Sequence, residues 1–152
     1  MDSLNTVLKQ QAIDFGLCRQ WSDEWDHDLD DYEFCDRFKR GQDFCIKHNW
    51  PTVDFIRSCF DENSLSEQGV FVDSLNSKRG KVLGNGTYVV LGDCEGTLVF
   101  PRWSAALVYA RHNSRIKVKA GDFARITVRL YDEAEVEIER GENAEVRIRD
   151  KR

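Results

Sequence analysis

Few side chains in this sequence are spaced to do chemistry. Cys45 and His48 stand three apart, on one face of any helix that contains them, and Cys35 and Cys59 are the cysteines on either side. Structural zinc sites pair their ligands closely, as in C-x2-C, whereas here a single C-x2-H has no second close pair. The cysteines are therefore expected to pack as small hydrophobes with reduced thiols, and no metal or other cofactor is expected. Nucleophilic catalysis needs a Cys or Ser, a His base and an orienting group brought together. His27, His48 and His112 are the only histidines, and none sits in a recognisable nucleophile motif. Gly84-Asn85-Gly86 and Gly92-Asp93-Cys94-Glu95-Gly96 are not followed by the Gly-Lys-Ser/Thr of a phosphate loop. No catalytic residue, and no enzymatic activity, is expected.

The most unusual local feature is acidic. Asp23, Glu24, Asp26, Asp28, Asp30, Asp31, Glu33 and Asp36 place eight carboxylates within fourteen residues. Asp30, Asp31 and Glu33 suit a helix N-terminus, where the macrodipole favours negative charge. The spacing lacks the central Gly and terminal Glu of an EF-hand. Asp23, Glu24, Asp26, Asp28, Asp30 and Asp31 are the candidate partner-binding residues, a surface able to meet a basic partner or to imitate nucleic-acid phosphates.

The elements around these residues fall into two halves. Residues 1–76 carry a net charge of −9 and residues 77–152 a net charge of +4, within a chain of 152 residues and net charge −5. That asymmetry points to two regions with different surfaces. With 41% hydrophobic and 32% charged residues the chain can bury a core, and no apolar run approaches the roughly 18 residues of a membrane span. The first residues have no basic stretch leading into an apolar one, so a cytoplasmic protein is expected.

In the first half, Leu4, Val7, Leu8, Ala12 and Phe15 recur at helical spacing. Leu17, Trp21 and Trp25 follow, then Leu29, Tyr32, Cys35 and Phe38, then Phe44, Cys45 and His48. Asn49-Trp50-Pro51-Thr52 is a break, and Thr52 can cap a further helix carrying Val53, Phe55, Ile56, Cys59 and Phe60. Three or four helices are predicted.

The second half is a repeat. Ser114-Arg-Ile-Lys-Val118, Ala124-Arg-Ile-Thr-Val128, Ala134-Glu-Val-Glu-Ile138 and Ala144-Glu-Val-Arg-Ile148 align at a ten-residue period. Weaker copies precede them at Gly86–Val90, Gly96–Phe100 and Ala105–Tyr109, with Val89, Val99, Trp103 and Val108 expected outward. Period-2 alternation buries one side of each strand. An antiparallel meander and a β-solenoid with two strands per coil both fit. Stacking at twenty residues lays Arg115, Lys117 and Lys119 over Glu135, Glu137 and Glu139, whereas a meander sets Arg115 and Lys119 against Arg129 and Arg125. Opposite charges favour the solenoid. The expected class is thus α+β: a helical domain over 1–72, a linker over 73–83 and a β-solenoid of ten-residue repeats over 84–152.

These small-x-Val/Ile-x-Val/Ile rungs resemble short-rung β-solenoids such as the bactofilins, bacterial proteins that polymerise end to end. The layout of helical head and solenoid is similar to that of small uncharacterised bacterial and prophage proteins. The final rung, Glu145, Val146, Arg147 and Ile148, runs into a charged terminus with no helix to cover it, so it is the expected self-association edge. The expected function is a non-enzymatic structural or interaction protein: a solenoid platform with a helical docking head, binding protein partners and self-associating. The alternative is an acidic, phage-type or regulatory inhibitor that occupies a basic, nucleic-acid-binding surface. Arg111, Arg115, Lys117 and Lys119 lie among glutamates of neighbouring rungs, so nucleic acid is not an expected partner, and neither is a membrane.

Overall fold

The computed structural model describes residues 4–14, 16, 31–50, 52–59, 62–74 and 81–151. By packing, the chain divides into two compact units, Met1–Phe60 and Asp61–Arg152. None of the described helices is long and apolar enough to cross a membrane.

The first unit contains α1 (Leu4–Asp14), α2 (Asp31–Arg40), α3 (Gln42–His48) and α4 (Val53–Cys59). Ala12, Cys35, Phe38, Cys45 and Ile56 are buried, the apolar positions that the helical spacing singles out. Gly41 separates α2 from α3, and the buried Gln42 amide donates to the carbonyl of Phe38 at 2.8 Å. Asn49 ends α3 in the left-handed conformation (φ 47°), which a short polar side chain tolerates. The Trp50 indole N–H donates to Gln11 at 2.9 Å, tying α1 to the end of α3. Thr52 caps α4 by accepting the N–H of Phe55.

The second unit begins with α5 (Glu62–Glu67) and continues through β1 (Val70–Ser74), β2 (Lys81–Val82), β3 (Gly86–Phe100), β4 (Ala105–Ala110), β5 (Arg115–Ala120), β6 (Arg125–Leu130), β7 (Glu135–Arg140) and β8 (Glu145–Asp150). Every strand pairing is parallel, in the order β7-β5-β3-β4-β6-β8, with β1 and β2 also on β3. That excludes the meander and makes a β-solenoid of about four coils. From β3 onward each strand stacks on the one twenty residues away, so one side of the flattened coil is β3-β5-β7 and the other is β3-β4-β6-β8.

The division between the units falls before the expected 73–83 linker. Val70, Phe71 and Val72 pair with Val89, Val90 and Leu91, and α5 packs on β1, so this segment belongs with the strands. Residues 75–80 lie outside the described residues. β3 takes up two of the expected rungs in one strand, bending at Gly92, whose φ of 72° an L side chain rarely adopts.

The interior is a column of inward side chains. Phe71, Val90, Leu98, Phe100, Val108, Ile116, Val118, Ile126 and Val128 form its centre. Val108 corrects the sequence register: it lies inside and is fully buried, because the rung begins at Ser104 rather than Ala105. A one-residue slip exchanges the faces of a strand. Val89 does take an outward position, yet it is buried along with Val70, Val72 and Leu91.

Candidate interaction surfaces of the solenoid

Parallel stacking presents three kinds of surface: two outer sheet faces, two columns of corners, and the strand edges of the last described coil.

The corners are made by the four-residue stretches between strands. Each places one residue at positive φ: Trp103, Phe123 and Asn143 on one column, His112 and Asp132 on the other, where Gly92 makes the equivalent bend inside β3. Corner N–H groups without a strand partner receive side-chain acceptors from the neighbouring coil. Asn85 accepts from Ala105 (2.8 Å), Asp122 from Glu142 (2.9 Å), Asp73 from Asp93 (3.0 Å) and Asp132 from His112 (3.0 Å). His112 Nδ1 in turn accepts the N–H of Gly92 at 3.2 Å. Its imidazole is therefore engaged in holding a corner. Ser104, Ser114, Ala124, Ala134 and Ala144 are all buried at strand starts, where larger side chains would hold the coils apart. On the first column, the Trp103 indole stacks on Phe123 with ring centroids 4.4 Å apart and planes 7° from parallel, and Trp103 remains 67% exposed.

The outer face of β5 and β7 is a charge ladder. Arg115, Lys117 and Lys119 lie in register with Glu135, Glu137 and Glu139. Arg115 approaches Glu135 at 3.8 Å, while Lys117 and Lys119 both approach Glu139, at 3.9 and 3.7 Å. These exposed pairs are each worth well under about 1 kcal/mol, so they select register more than they stabilise. An open groove runs over this face between Glu95, Thr97, Arg115, Lys117, Glu135 and Glu137.

The outer face of β6 and β8 differs. Arg125 lies opposite Glu145, Thr127 opposite Arg147, and Arg129 opposite Arg149. Arg129 spreads its guanidinium over the Tyr109 ring, 5.4 Å from the centroid, and donates to the Tyr109 hydroxyl oxygen at 3.1 Å; Tyr131 stacks on Tyr109. Sequence reasoning gave this face no role, although the arginines at alternate positions of two rungs are visible once the twenty-residue register is applied.

The expected edge residues lie together on β8, which pairs on one side with β6. Glu145 and Arg147 are exposed, Val146 is half-buried and Ile148 is 47% exposed. Asp23, Glu24, Asp26, Asp28 and Asp30 lie outside the described residues; Asp31 opens α2, its side chain also outside them. Further along α2, Asp36 pairs with Arg40 at 3.0 Å. Cys35, Cys45 and Cys94 are buried thiols, and His48 packs its ring on Phe44 at 4.7 Å. Among the described residues no cluster of three or more His, Cys, Asp or Glu could hold a metal ion. Cys18 and His27 lie outside the described residues.

No protein-family model, curated protein or solved structure matches this chain.

Proposed function

We propose that this chain is a non-enzymatic interaction protein whose solenoid is a rigid platform and whose last described coil associates with a second copy. The observation that carries this reading is the contrast between successive coils. Ile116, Val118, Ile126 and Val128 are buried, whereas Val136, Ile138 and Val146 at the following level are half-buried and Ile148 is 47% exposed. A second copy laid on β7 and β8 extends the hydrogen-bonded ladder and covers these side chains, the general remedy for an open strand edge. The interior packing supports the platform reading, since it holds the strands that carry the outward side chains about 4.8 Å apart.

Sedimentation velocity over a concentration series tests the reading. A mass above the 17.7 kDa of one chain, rising with concentration, is expected. Ile148→Glu should return the protein to a monomer while circular dichroism stays that of the folded chain. A strict monomer at tens of micromolar, or an oligomer that survives Ile148→Glu, overturns it.

A further inference from the structure

The two outer faces are built from alternate rungs of one repeat, yet they handle charge differently. On β5 and β7 three cations meet three carboxylates in register. On β6 and β8 the six outward positions hold Arg125, Arg129, Arg147 and Arg149 with one acid, Glu145, and Arg129 stands directly opposite Arg149. Like charges opposite one another destabilise a sheet. Among the described residues Arg125, Arg147 and Arg149 enter no ion pair. The arrangement leaves a net positive face on a chain whose overall charge is −5. Along β8 the backbone positions of Arg147 and Arg149 stand about 6.6 Å apart, and Arg149 lies about 4.8 Å from Arg129 across the strands.

At the start of these strands stands the aromatic corner. Phe123 is two residues before Arg125 and stacks on Trp103, whose neighbour Arg102 is exposed. We infer that the β6–β8 face binds single-stranded nucleic acid, with Arg125, Arg147 and Arg149 taking the phosphates and Trp103 stacking a base. Charge alone suits any polyanion; the exposed indole, stacked on Phe123 two residues before Arg125, favours one that carries planar bases. A flat sheet face offers no helix or ribbon to enter a duplex groove, so unpaired bases are the reachable ones. Arg111, Arg115, Lys117 and Lys119 take no part in this face. Arg111 is buried and the other three lie on the compensated face.

Such a partner deepens the platform reading and does not need self-association. Fluorescence anisotropy of the full chain with labelled oligothymidine of about twenty nucleotides tests it. Binding is expected at low salt, weakening as salt rises. Arg147→Gln with Arg149→Gln should weaken it about tenfold or more, and Trp103→Ala about fivefold or more. Lys117→Gln with Lys119→Gln, on the opposite face, should change it by less than about twofold. Circular dichroism confirms that each variant is folded. No binding by the parent chain overturns the inference, as does equal loss from the two faces. An unlabelled polyglutamate that displaces the probe as well as unlabelled oligothymidine does, with Trp103→Ala unchanged, also overturns it and leaves an acidic protein segment as the ligand. Sedimentation of the same samples keeps the outcomes distinct, since a monomer that binds the oligonucleotide refutes self-association alone.

Discussion

Trp103 lies flat on Phe123, one coil away, and both hold a positive φ, 66° and 63°. Bulky residues seldom adopt that conformation, so each corner carries backbone strain that ring contact offsets. Asn143 takes the equivalent place in the next coil, a residue that tolerates positive φ without help.

A double-mutant cycle on this pair should find coupling of about 1 kcal/mol between Trp103→Ala and Phe123→Ala. Chemical denaturation of the four proteins gives the value. Strict additivity would show that the stack contributes nothing beyond the two separate side chains.

Two glycines at corners of the coil should respond oppositely to alanine. A Cβ at Gly121 would sit 2.8 Å from the Arg102 nitrogen and 2.9 Å from the Pro101 carbonyl carbon, backbone atoms that cannot rotate away. Gly121→Ala is expected to cost about 1–3 kcal/mol. At Gly84 a Cβ meets nothing within 4 Å, and Gly84→Ala should stay within about 0.5 kcal/mol of the parent. Comparable losses at both positions would contradict the close approach of coils at Gly121.

Core truncation should report the depth of each coil. Ile126 is 1% exposed and Ile148 47% exposed. Ile126→Ala should cost about 2–5 kcal/mol, and Ile148→Ala about 1 kcal/mol in dilute protein. If a second copy covers Ile148, its loss grows with protein concentration. Equal losses at the two sites in dilute protein would mean that the last coil is not open.

Tyr88 supplies an alkaline dependence. Its hydroxyl donates to the Gly84 carbonyl at 2.9 Å, its ring packs near Phe71 and Phe100, and burial pushes its phenol above the ordinary 10.0. The folded phenol holds its proton more tightly than the unfolded one. Its stabilisation is therefore complete below about pH 10 and is lost as pH rises through the folded value. Tyr88→Phe should lose less stability than the parent between about pH 8 and about pH 11, read from denaturation midpoints. Identical losses would remove Tyr88 from the account.

Much of the solenoid is legible in the sequence because its causes are local. Alternation of apolar and charged residues in Arg115–Ala120 and Arg125–Leu130 fixes which side chains turn inward, and the opposed charges of Arg115 and Glu135 choose stacking at twenty residues over a meander. The Thr52 cap and the Asn49 break are local too, since each depends on a side chain meeting its own backbone. Other features depend on contacts that no local pattern carries. Val108 lies inside because its whole rung is shifted by one residue to pair with β3 and β6, and Val70–Ser74 joins the sheet because its apolar residues find partners near Val90. Lys117 reaches Glu139 rather than Glu137 through the lean of its side chain across the ladder. Alternation and charge in the sequence carry the ten-residue period and favour the parallel stack, and they assign the inward faces of β5 and β6. Closure of the coil alone brings Arg125, Arg129, Arg147 and Arg149 onto one face and lays Trp103 on Phe123, because residues twenty apart become neighbours only once the coil has closed.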